Sequence, residues 1–411
     1  MIKRIFTSLL KEMLETFPVV AVVGSRQVGK STLIQQPEIA NGRRYLTLDD
    51  ISVYSVAQAD PRSFLEGDRP LSIDEVQMAP ALLREIKLRV DQKRAPGRFL
   101  LTGSADLDHC ADISSVLAGR VGILRLPPIT ISEENEATGW RKWMASTRAK
   151  ALDTAFAGKR YPSLPLERIL SGGYPDSLLA ASNRQRLLWM ESFKTTYLER
   201  DLRRISDIGN LGEFVRLMNL CASSTGGLLN QAHLARDAGM SPATAGRHLS
   251  ILEASFLITR LPPFFANIGK RMVKAPKLYW NDVGLSAHLC GITSTGALRG
   301  SLMFGRFVET LLMMEIQAML PLAHEPARLF HVRTHEGLEV DGLLEIGQRH
   351  LPLEIKASKT VTASDAAPIE RWLALNPKHG PGIVLYFGED YLTLSKNVRA
   401  IPVGALFGKE A

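Results

Sequence analysis

The sequence predicts an α/β protein built around a parallel sheet, and three observations lead to this fold class. An apolar run that opens at Pro18 leads directly into a glycine-rich loop and then a helix. Apolar strands and helical stretches then alternate as far as residue 130, which is the order that produces parallel strands. The C-terminal part shows alternating strands again. With 411 residues, the chain is long enough for two or three domains.

The composition is that of a soluble globular protein, with 45% hydrophobic and 22% charged residues. No run of about 18 apolar residues occurs, so we expect no membrane partner. The first residues predict a short amphipathic helix and not a signal peptide. Cys110, Cys221 and Cys290 form no C-x-x-C pair, which suits a reducing cytoplasm and offers no zinc framework. The net charge of +8 suits a polyanionic partner or serves solubility alone.

A phosphate-binding loop is the most specific motif of the chain. Residues 24–31 read Gly-Ser-Arg-Gln-Val-Gly-Lys-Ser, which matches G-x-x-x-x-G-K-[ST] between a strand and a helix. Gly24 and Gly29 let backbone N–H groups point at phosphate oxygens, Lys30 reaches the β- and γ-phosphates, and Ser31 can ligate Mg²⁺. The predicted cofactors are ATP and Mg²⁺. The predicted ATP-binding residues are Gly24, Ser25, Arg26, Gln27, Val28, Gly29, Lys30, Ser31 and Thr32.

An acidic pair ends a later strand of the predicted sheet. A strand over 43–50 and a helix over 51–59 come first, and the strand that follows ends in Asp74 and Glu75. This is the edge where a parallel sheet places ligand chemistry. We expect Asp74 to hold Mg²⁺ and Glu75 to orient and deprotonate the attacking water. Acidic pairs at strand ends also cap helices, which is the alternative.

A further strand, predicted over 98–105 after a helix over 81–93, ends in hydroxyl side chains. Thr102 is the first choice and Ser104 the second for a hydrogen bond to the γ-phosphate or to the attacking water. The alternative is ordinary turn chemistry before Gly103.

The extra strand between the Lys30 and Asp74 strands, together with the Glu75 carboxylate, resembles the AAA+ branch of P-loop ATPases. This resemblance gives Arg120, in Leu-Ala-Gly-Arg-Val, the place of an arginine finger. Its guanidinium would stabilise the γ-phosphate of a neighbouring subunit and would imply a homo-oligomer, a ring or a dimer. The alternative is a surface arginine or one held in an internal ion pair.

The middle of the chain contains a predicted helix-turn-helix. Residues 131–157 lose the earlier rhythm and are interpreted as an insertion and domain boundary, and 183–204 as a long helix. Past Asn230, a short helix ends at Gly239, and a second helix starts at Pro242 after a capping Ser241. Residues 256–264 are candidates for a wing. The outermost residues of the second helix are predicted to be Thr244, Arg247 and His248.

A basic segment follows, in which cations alternate with aromatic residues between 260 and 280. Lys270, Arg271 and Lys274 are candidates for DNA backbone contacts. A basic linker packed on a core is the alternative, as a plain lid or protein contact is for the helix-turn-helix.

Two C-terminal strands bring together a D…E-x-K pattern. Asp341 lies on the first strand, while Glu354 and Lys356 share one face of the second. Two carboxylates can bind Mg²⁺ that activates water, and Glu309 supplies a candidate third ligand. The pattern resembles the restriction-endonuclease-like superfamily. An ion pair at a strand end, or a nuclease core that has lost activity, are the alternatives.

Nearly the whole chain resembles a prokaryotic family of AAA+ ATPases with a C-terminal restriction-endonuclease-like domain of unknown function. The motifs that carry the resemblance are the phosphate-binding loop, Ile73-Asp-Glu-Val-Gln, Leu101-Thr-Gly-Ser, Leu117-Ala-Gly-Arg-Val, Gly172-Gly-Tyr-Pro, Lys277-Leu-Tyr-Trp-Asn-Asp-Val-Gly-Leu and Glu354-Ile-Lys. The family implies a P-loop AAA+ parallel sheet with helices on both faces. The predicted domains are the ATPase core at 1–130, an insertion and helical lid at 131–210, a winged helix at 211–265 and the nuclease-like domain at 266–411.

Three functions are compatible with these motifs. The first is a Mg²⁺-dependent ATPase coupled to DNA in recombination, repair or branched-junction handling. The second is a nucleotide-dependent switch that controls a protein partner in signalling or defence, with an inactive C-terminal domain. The third adds metal-dependent cleavage of nucleic acid by Asp341, Glu354 and Lys356.

Overall fold

The structure is a computed structural model that describes residues 2–104, 113, 115–201, 209–264, 275–334 and 337–409. Cys110, Lys270, Arg271 and Lys274 lie outside the described residues, as does the side chain of Ser104. From residue 3 onward, the chain divides into two compact units. The first comprises Lys3–Pro128 and Leu249–Leu257, and the second comprises Ile129–His248 and Ile258–Ala411.

The first unit contains the parallel sheet that the sequence predicts. Its five strands lie in the order β2-β3-β4-β1-β5, and every neighbouring pair is parallel. All six residues of β1, which lies between β4 and β5, are buried, which is typical of a strand covered on both faces. The strands are β1 Val19–Gly24, β2 Arg44–Thr47, β3 Leu71–Asp74, β4 Phe99–Ser104 and β5 Val121–Arg125.

Short helices connect these strands. The helix predicted over 51–59 is confirmed, and its first turn is capped by the carboxylate of Asp50, which accepts from the Ser52 N–H at 2.8 Å. The helix predicted over 81–93 ends one residue earlier. The helices are α1 Phe6–Thr16, α2 Lys30–Ile34, α3 Pro37–Ala40, α4 Ile51–Ala59, α5 Pro61–Phe64 and α6 Ala81–Gln92, with a 3₁₀ turn at Val76–Met78.

The second unit begins at Ile129, beside the segment 131–157 that the sequence predicts as an insertion and domain boundary. Three short helices fill this segment and bury Trp140 and Trp143. The missed signal is the capping box of Thr130 and Glu133, which starts the first of them. The helices are α7 Ile131–Asn135, α8 Gly139–Ala145, α9 Ala149–Phe156, α10 Glu167–Ser171, α11 Pro175–Leu178 and α12 Asn183–Phe193, which continues as a π-helix over Lys194–Asp201.

Three helices and a three-stranded antiparallel sheet follow. The strands lie in the order β6-β8-β7, and β8 is antiparallel to both of its neighbours. Gly239 ends the first helix of the predicted pair with φ +78°, and the Ser241 hydroxyl caps the second by accepting from the Thr244 N–H at 3.1 Å. The elements are α13 Leu211–Ser223, β6 Gly227–Leu228, α14 Gln231–Ala238, α15 Pro242–Ala254, β7 Ile258–Leu261 and β8 Lys277–Trp280.

A six-stranded mixed sheet forms the C-terminal part, in the order β13-β14-β12-β11-β10-β9. Strands β9, β10 and β11 are antiparallel, whereas β11, β12 and β14 are parallel. The elements are α16 Val283–Leu289, α17 Thr295–Gly300, α18 Phe304–Met319, β9 Ala327–Arg333, β10 Glu339–Ile346, β11 Arg349–Lys356, α19 Ala367–Leu375, β12 Gly382–Tyr386, β13 Leu392–Thr393, β14 Val398–Pro402 and α20 Val403–Phe407. Within the described ranges, no helix has the length and apolarity to span a membrane.

Two sequence motifs of the second unit are in close contact. The Asp282 carboxylate accepts from the N–H of Gly173 at 2.6 Å and from the N–H of Leu285 at 2.7 Å. Gly172 has φ +63°, and a Cβ atom there would collide with the Asp282 carboxylate. The Gly172-Gly-Tyr-Pro and Asn281-Asp-Val-Gly motifs therefore specify a close backbone approach.

Candidate functional site

The phosphate-binding loop joins β1 to α2 at the carboxyl edge of the parallel sheet. Gly29 has φ +91°, a conformation that glycine adopts without strain. A Cβ atom at Gly24 would collide with the carbonyl oxygen of Leu126. Both glycines are therefore required by the backbone geometry.

Two buried cations contact the backbone of this loop. The Lys30 ammonium donates to the carbonyl oxygens of Gly24 at 3.1 Å and Ser25 at 2.9 Å. The Arg4 guanidinium donates to the carbonyl oxygens of Val28 and Pro127, both at 2.7 Å. Sequence reasoning missed Arg4, because it stands before the motif and no local pattern marks it.

Asp74 is held by hydroxyl groups from the strands on both sides. The side chain is 3% exposed. One carboxylate oxygen accepts from the Tyr45 hydroxyl at 2.7 Å, and the other accepts from the Thr102 hydroxyl. The Thr102 oxygen in turn accepts from the N–H of Glu75 at 3.2 Å. The sequence predicts a hydrogen bond from Thr102 to the γ-phosphate or to the attacking water, and in the structure its hydroxyl lies between the Asp74 carboxylate and the Glu75 N–H.

Glu75 lies in a strained backbone conformation beside further charged groups. Its φ of +57° is uncommon for a residue with a side chain, and its carboxylate accepts from the Gln77 amide. Burial, and then the charges of Glu75 and Asp74, raise the pKa of Asp49, while Arg26 of the loop acts in the opposite direction. Asp49 therefore lies near Asp74 and Glu75. In the sequence, Asp49 and Asp50 end the strand predicted over 43–50, and this acidic pair indicated the position.

Arg120 lies at the other edge of the sheet. Its carbonyl oxygen accepts from the N–H of Val19, the first residue of β1, whereas the loop begins at Gly24, the last. At about 3.3 Å per residue, the two ends of β1 are about 17 Å apart. The guanidinium is bound by Asp91 through hydrogen bonds of 2.6 and 2.9 Å. Arg120 is thus remote from the loop of its own subunit.

The predicted DNA-contact residues of α15 differ in exposure. Arg247 is exposed and Thr244 is half-buried. His248 is 2% exposed and packs edge-to-face on Phe214, with 5.2 Å between the ring centroids. The prediction that His248 is outermost is wrong, because it follows Ala245 by one helical turn on the buried face.

The C-terminal D…E-x-K residues come together as the sequence predicts. The Lys356 ammonium donates to Glu354 at 3.0 Å, and Asp341 accepts from the N–H of Ile355 at 2.9 Å. Glu354 is 8% exposed, and its Oε2 atom has no hydrogen-bond partner in the described part of the chain. Burial, and then the charge of Asp341, raise the pKa of Glu354 to about 7.

Lys277, which begins one of the sequence motifs but had no predicted role, lies among these acids. Lys277, the first residue of β8, is 3% exposed, and its ammonium lies 2.9 Å from Glu309, 3.5 Å from Glu339 and 3.6 Å from Asp341. Burial lowers the pKa of Lys277, but the charges of Glu309 and Asp341 outweigh it and the net direction is upward. The Tyr279 hydroxyl also donates to Glu309, at 2.5 Å.

This arrangement corrects the predicted second metal site. Over the residues that the structure describes, no group of three or more His, Cys, Asp or Glu side chains is placed to hold a metal ion. Glu309, Asp341 and Glu354 therefore do not form the predicted ligand set, because the ammonium of Lys277 lies between Glu309 and Asp341.

Three family descriptions match successive parts of the chain. An AAA domain matches residues 16–135, and two domains of unknown function, DUF8612 and DUF4143, match residues 164–296 and 304–406. Two curated relatives are the uncharacterized proteins Rv2008c of Mycobacterium tuberculosis and Mb2031c of Mycobacterium bovis. Each is 31% identical over 395 residues, which cover 96% of this chain and 82% of the relative.

Solved structures share a more distant likeness. The Walker-type ATPase paby2304 of Pyrococcus abyssi is 14% identical, with a TM-score of 0.44, and the match covers 70% of this chain and 96% of that one. The RuvB Holliday junction branch migration motor of Thermotoga maritima is 19% identical, with a TM-score of 0.29, over 64% of this chain and 90% of that one.

Proposed function

This chain belongs to a family of prokaryotic AAA-type P-loop ATPases that includes the two mycobacterial proteins, and we propose that it hydrolyses ATP with Mg²⁺ and couples hydrolysis to DNA binding or remodelling. The observation that carries the proposal is the meeting of Lys30, Asp74 and Glu75 at one edge of the parallel sheet. A cation for phosphate and two acids for metal and water are the parts that phosphoryl transfer to water requires.

The residues at this edge suit ATP and Mg²⁺. The backbone N–H groups of the Gly24–Gly29 loop would bind the phosphates, and Ser31 and Asp74 would hold Mg²⁺, which neutralises phosphate charge when bound. Asp74 keeps acceptor capacity after its two hydroxyl contacts, because a carboxylate offers about four lone-pair sites. In this proposal, Glu75 would orient and deprotonate the attacking water.

The DNA part of the proposal depends on the segment from α13 to β8. Its order of helix, strand, helix, helix, strand and strand is that of a winged helix. Arg247 is exposed on α15, the place of a recognition helix, and the net charge of +8 suits a polyanionic partner. We infer that this segment, with the basic residues of the β7–β8 connection, grips DNA.

An ATPase assay with matched variants tests the catalytic part. Lys30→Ala is expected to abolish both nucleotide binding and hydrolysis, because the phosphate cation is removed. Glu75→Gln is expected to keep nucleotide binding and lose hydrolysis, because the amide cannot accept the proton from water. Hydrolysis that survives in Glu75→Gln would refute the role of this carboxylate.

ATP turnover with and without duplex and branched DNA tests the coupling. We expect DNA to stimulate turnover, and DNA binding to weaken as salt rises. Arg247→Ala should reduce DNA affinity, whereas Arg236→Ala, which removes an equally exposed charge from α14, should have a smaller effect. No stimulation together with no salt-sensitive binding would refute the DNA role.

One observation favours a second candidate, a nucleotide-dependent switch that controls a protein partner. The carboxylate cluster of the C-terminal domain is already paired with Lys277, which suits a domain that binds without catalysis. This candidate predicts slow turnover, nucleotide retained through purification and a protein that co-purifies in defined stoichiometry. Rapid DNA-stimulated hydrolysis would contradict it.

A further inference from the structure

The acids of the C-terminal domain surround a cation that the chain itself supplies. The Lys277 ammonium lies within 3.6 Å of carboxylates from three positions, namely Glu309 on α18 and both Glu339 and Asp341 on β10. It donates a 2.9 Å hydrogen bond to Glu309, and this short, charge-assisted contact lies in a buried environment. A buried ammonium is costly unless it is paired, so the acids and the lysine require each other.

Two further charged residues of the cluster are also paired within the protein. Lys356 pairs with Glu354 at 3.0 Å, and Arg333 lies 3.5 Å from the half-exposed Glu339. Divalent cations bind where several ionised oxygens converge, and here the ammonium of Lys277 lies between Glu309 and Asp341.

The position of Lys277 in the fold gives the pairing a second consequence. Lys277 begins β8 of the three-stranded sheet, whereas Asp341 and Glu354 lie on β10 and β11 of the six-stranded sheet. Alternation along β8 places Tyr279 on the same face as Lys277, and its hydroxyl donates to Glu309 at 2.5 Å. Two donors from one strand therefore attach the three-stranded sheet to the carboxylate cluster.

We propose that Lys277 is the resident cation of the nuclease-like cluster, in the place of a catalytic divalent metal, and that the C-terminal domain binds its ligand without cleaving phosphodiester bonds. The inference concerns the C-terminal domain alone and holds for either candidate function of the ATPase.

Manganese binding to the nucleotide-free, full-length protein tests the proposal without disturbing Lys277. Mn²⁺ titrations followed by electron paramagnetic resonance should give the same curve for the wild type and for Asp341→Asn. Plasmid DNA should remain unnicked by both proteins in Mg²⁺ or Mn²⁺. A bound Mn²⁺ that the wild type has and Asp341→Asn lacks, or nicking with the same dependence on Asp341, would overturn the proposal.

Removing the lysine should convert the cluster into a metal site. Lys277→Met is expected to gain one Mn²⁺ with a Kd of roughly 10⁻⁴ to 10⁻³ M, the range of weak carboxylate sites, and to be stabilised by the ion in thermal melts. The double variant Lys277→Met/Glu309→Gln should lose that gain. Lys356→Met is the matched control, because it removes the lysine that pairs with Glu354 and leaves Lys277 in place.

Two results of the lysine series would refute the assignment. One is a folded Lys277→Met protein that gains no Mn²⁺, and the other is an equal gain in Lys356→Met. If Lys277→Met does not fold, Lys277→Arg retains the positive charge and should fold and bind no Mn²⁺, and binding by that variant would contradict the role of the charge.

Discussion

Arg120 and Asp91 form a two-bond ion pair, with contacts of 2.6 and 2.9 Å, at the edge of the parallel sheet opposite the phosphate-binding loop. The pair raises the pKa of Arg120 and lowers that of Asp91, chiefly through the shared hydrogen bonds. Because the guanidinium is remote from the loop of its own subunit, a catalytic role requires a second subunit whose loop it can approach.

Arg120→Ala is therefore expected to reduce ATP turnover by roughly 10³-fold, the lower end of the effect of an arginine finger, and to leave nucleotide affinity unchanged. The specific activity of the wild type should rise with protein concentration, as assembly brings neighbours together. Steady-state hydrolysis, with the mass in solution measured in parallel, checks both expectations. Asp91→Ala is the control, because it releases the guanidinium without removing it and should preserve turnover. Full activity in Arg120→Ala would show that Arg120 has no catalytic role and serves only in the ion pair with Asp91.

Thr102→Val removes the hydroxyl that connects Asp74 and the N–H of Glu75. We expect turnover to fall about 10–100-fold, as for other groups that orient a catalytic shell, because Asp74 loses one of its two donors. Unfolding should become easier by about 1–3 kcal/mol, because a buried acceptor is left unsatisfied. Thr102→Ser keeps the hydroxyl and should retain most activity. Nucleotide affinity, measured with a fluorescent analogue, should change little in either variant. Loss of nucleotide affinity in Thr102→Val would instead indicate a direct phosphate contact.

His331 should make the stability of the second unit depend on pH. Burial, and then the charge of Lys277, lower the pKa of His331 from 6.5 to about 4. The unfolded chain therefore binds more protons than the folded protein between pH 6.5 and about pH 4, so stability is fully present above pH 6.5 and decreases as the pH falls through this window. The full effect corresponds to about 3 kcal/mol.

Urea unfolding of the wild type and of His331→Phe at several pH values measures this contribution. The variant has no titrating group at the position, so its free energy of unfolding should change less between pH 6.5 and pH 4. Equal pH dependence in the two proteins would show that other groups cause the loss of stability in acid.

Gly172→Ala should be strongly destabilising, because the new Cβ would collide with the Asp282 carboxylate in a left-handed backbone conformation. We expect about 2–5 kcal/mol of lost stability, the sum of backbone strain and overpacking. Gly158→Ala is the matched control, since Gly158 has φ +75° but nothing within 4 Å of the added atom. It should cost about 1–2 kcal/mol. Similar losses in the two variants would mean that backbone strain alone explains the motif.

The local parts of the fold were predictable from the sequence. The apolar run of β1, the two loop glycines and Lys30 lie within a few residues of one another, and their spacing alone specifies a strand, a phosphate loop and a helix. The acids after β3 were also predictable, because parallel strands end at one edge. The capping box of Thr130 was equally local, and it marks the start of the first helix within 131–157.

The partners of buried charges were not predictable in the same way. The sequence pattern predicted that Arg247 and His248 both lie on the outer side of the helix. Tertiary packing buries His248 and leaves only Arg247 exposed. Arg4 contacts a loop carbonyl at Val28, and no repeat or period connects the two positions.

The sequence by itself determined a P-loop α/β core, two acids at its ligand edge and a distant carboxylate pattern that resembles a nuclease. Only the tertiary structure decided that the Thr102 hydroxyl binds Asp74 and that Arg120 pairs with Asp91, remote from its own loop. It also placed the Lys277 ammonium between Glu309 and Asp341. The physical reason is the cost of a buried charge. Such a group must find a partner, and in this protein the partner comes from a strand that lies far away along the chain.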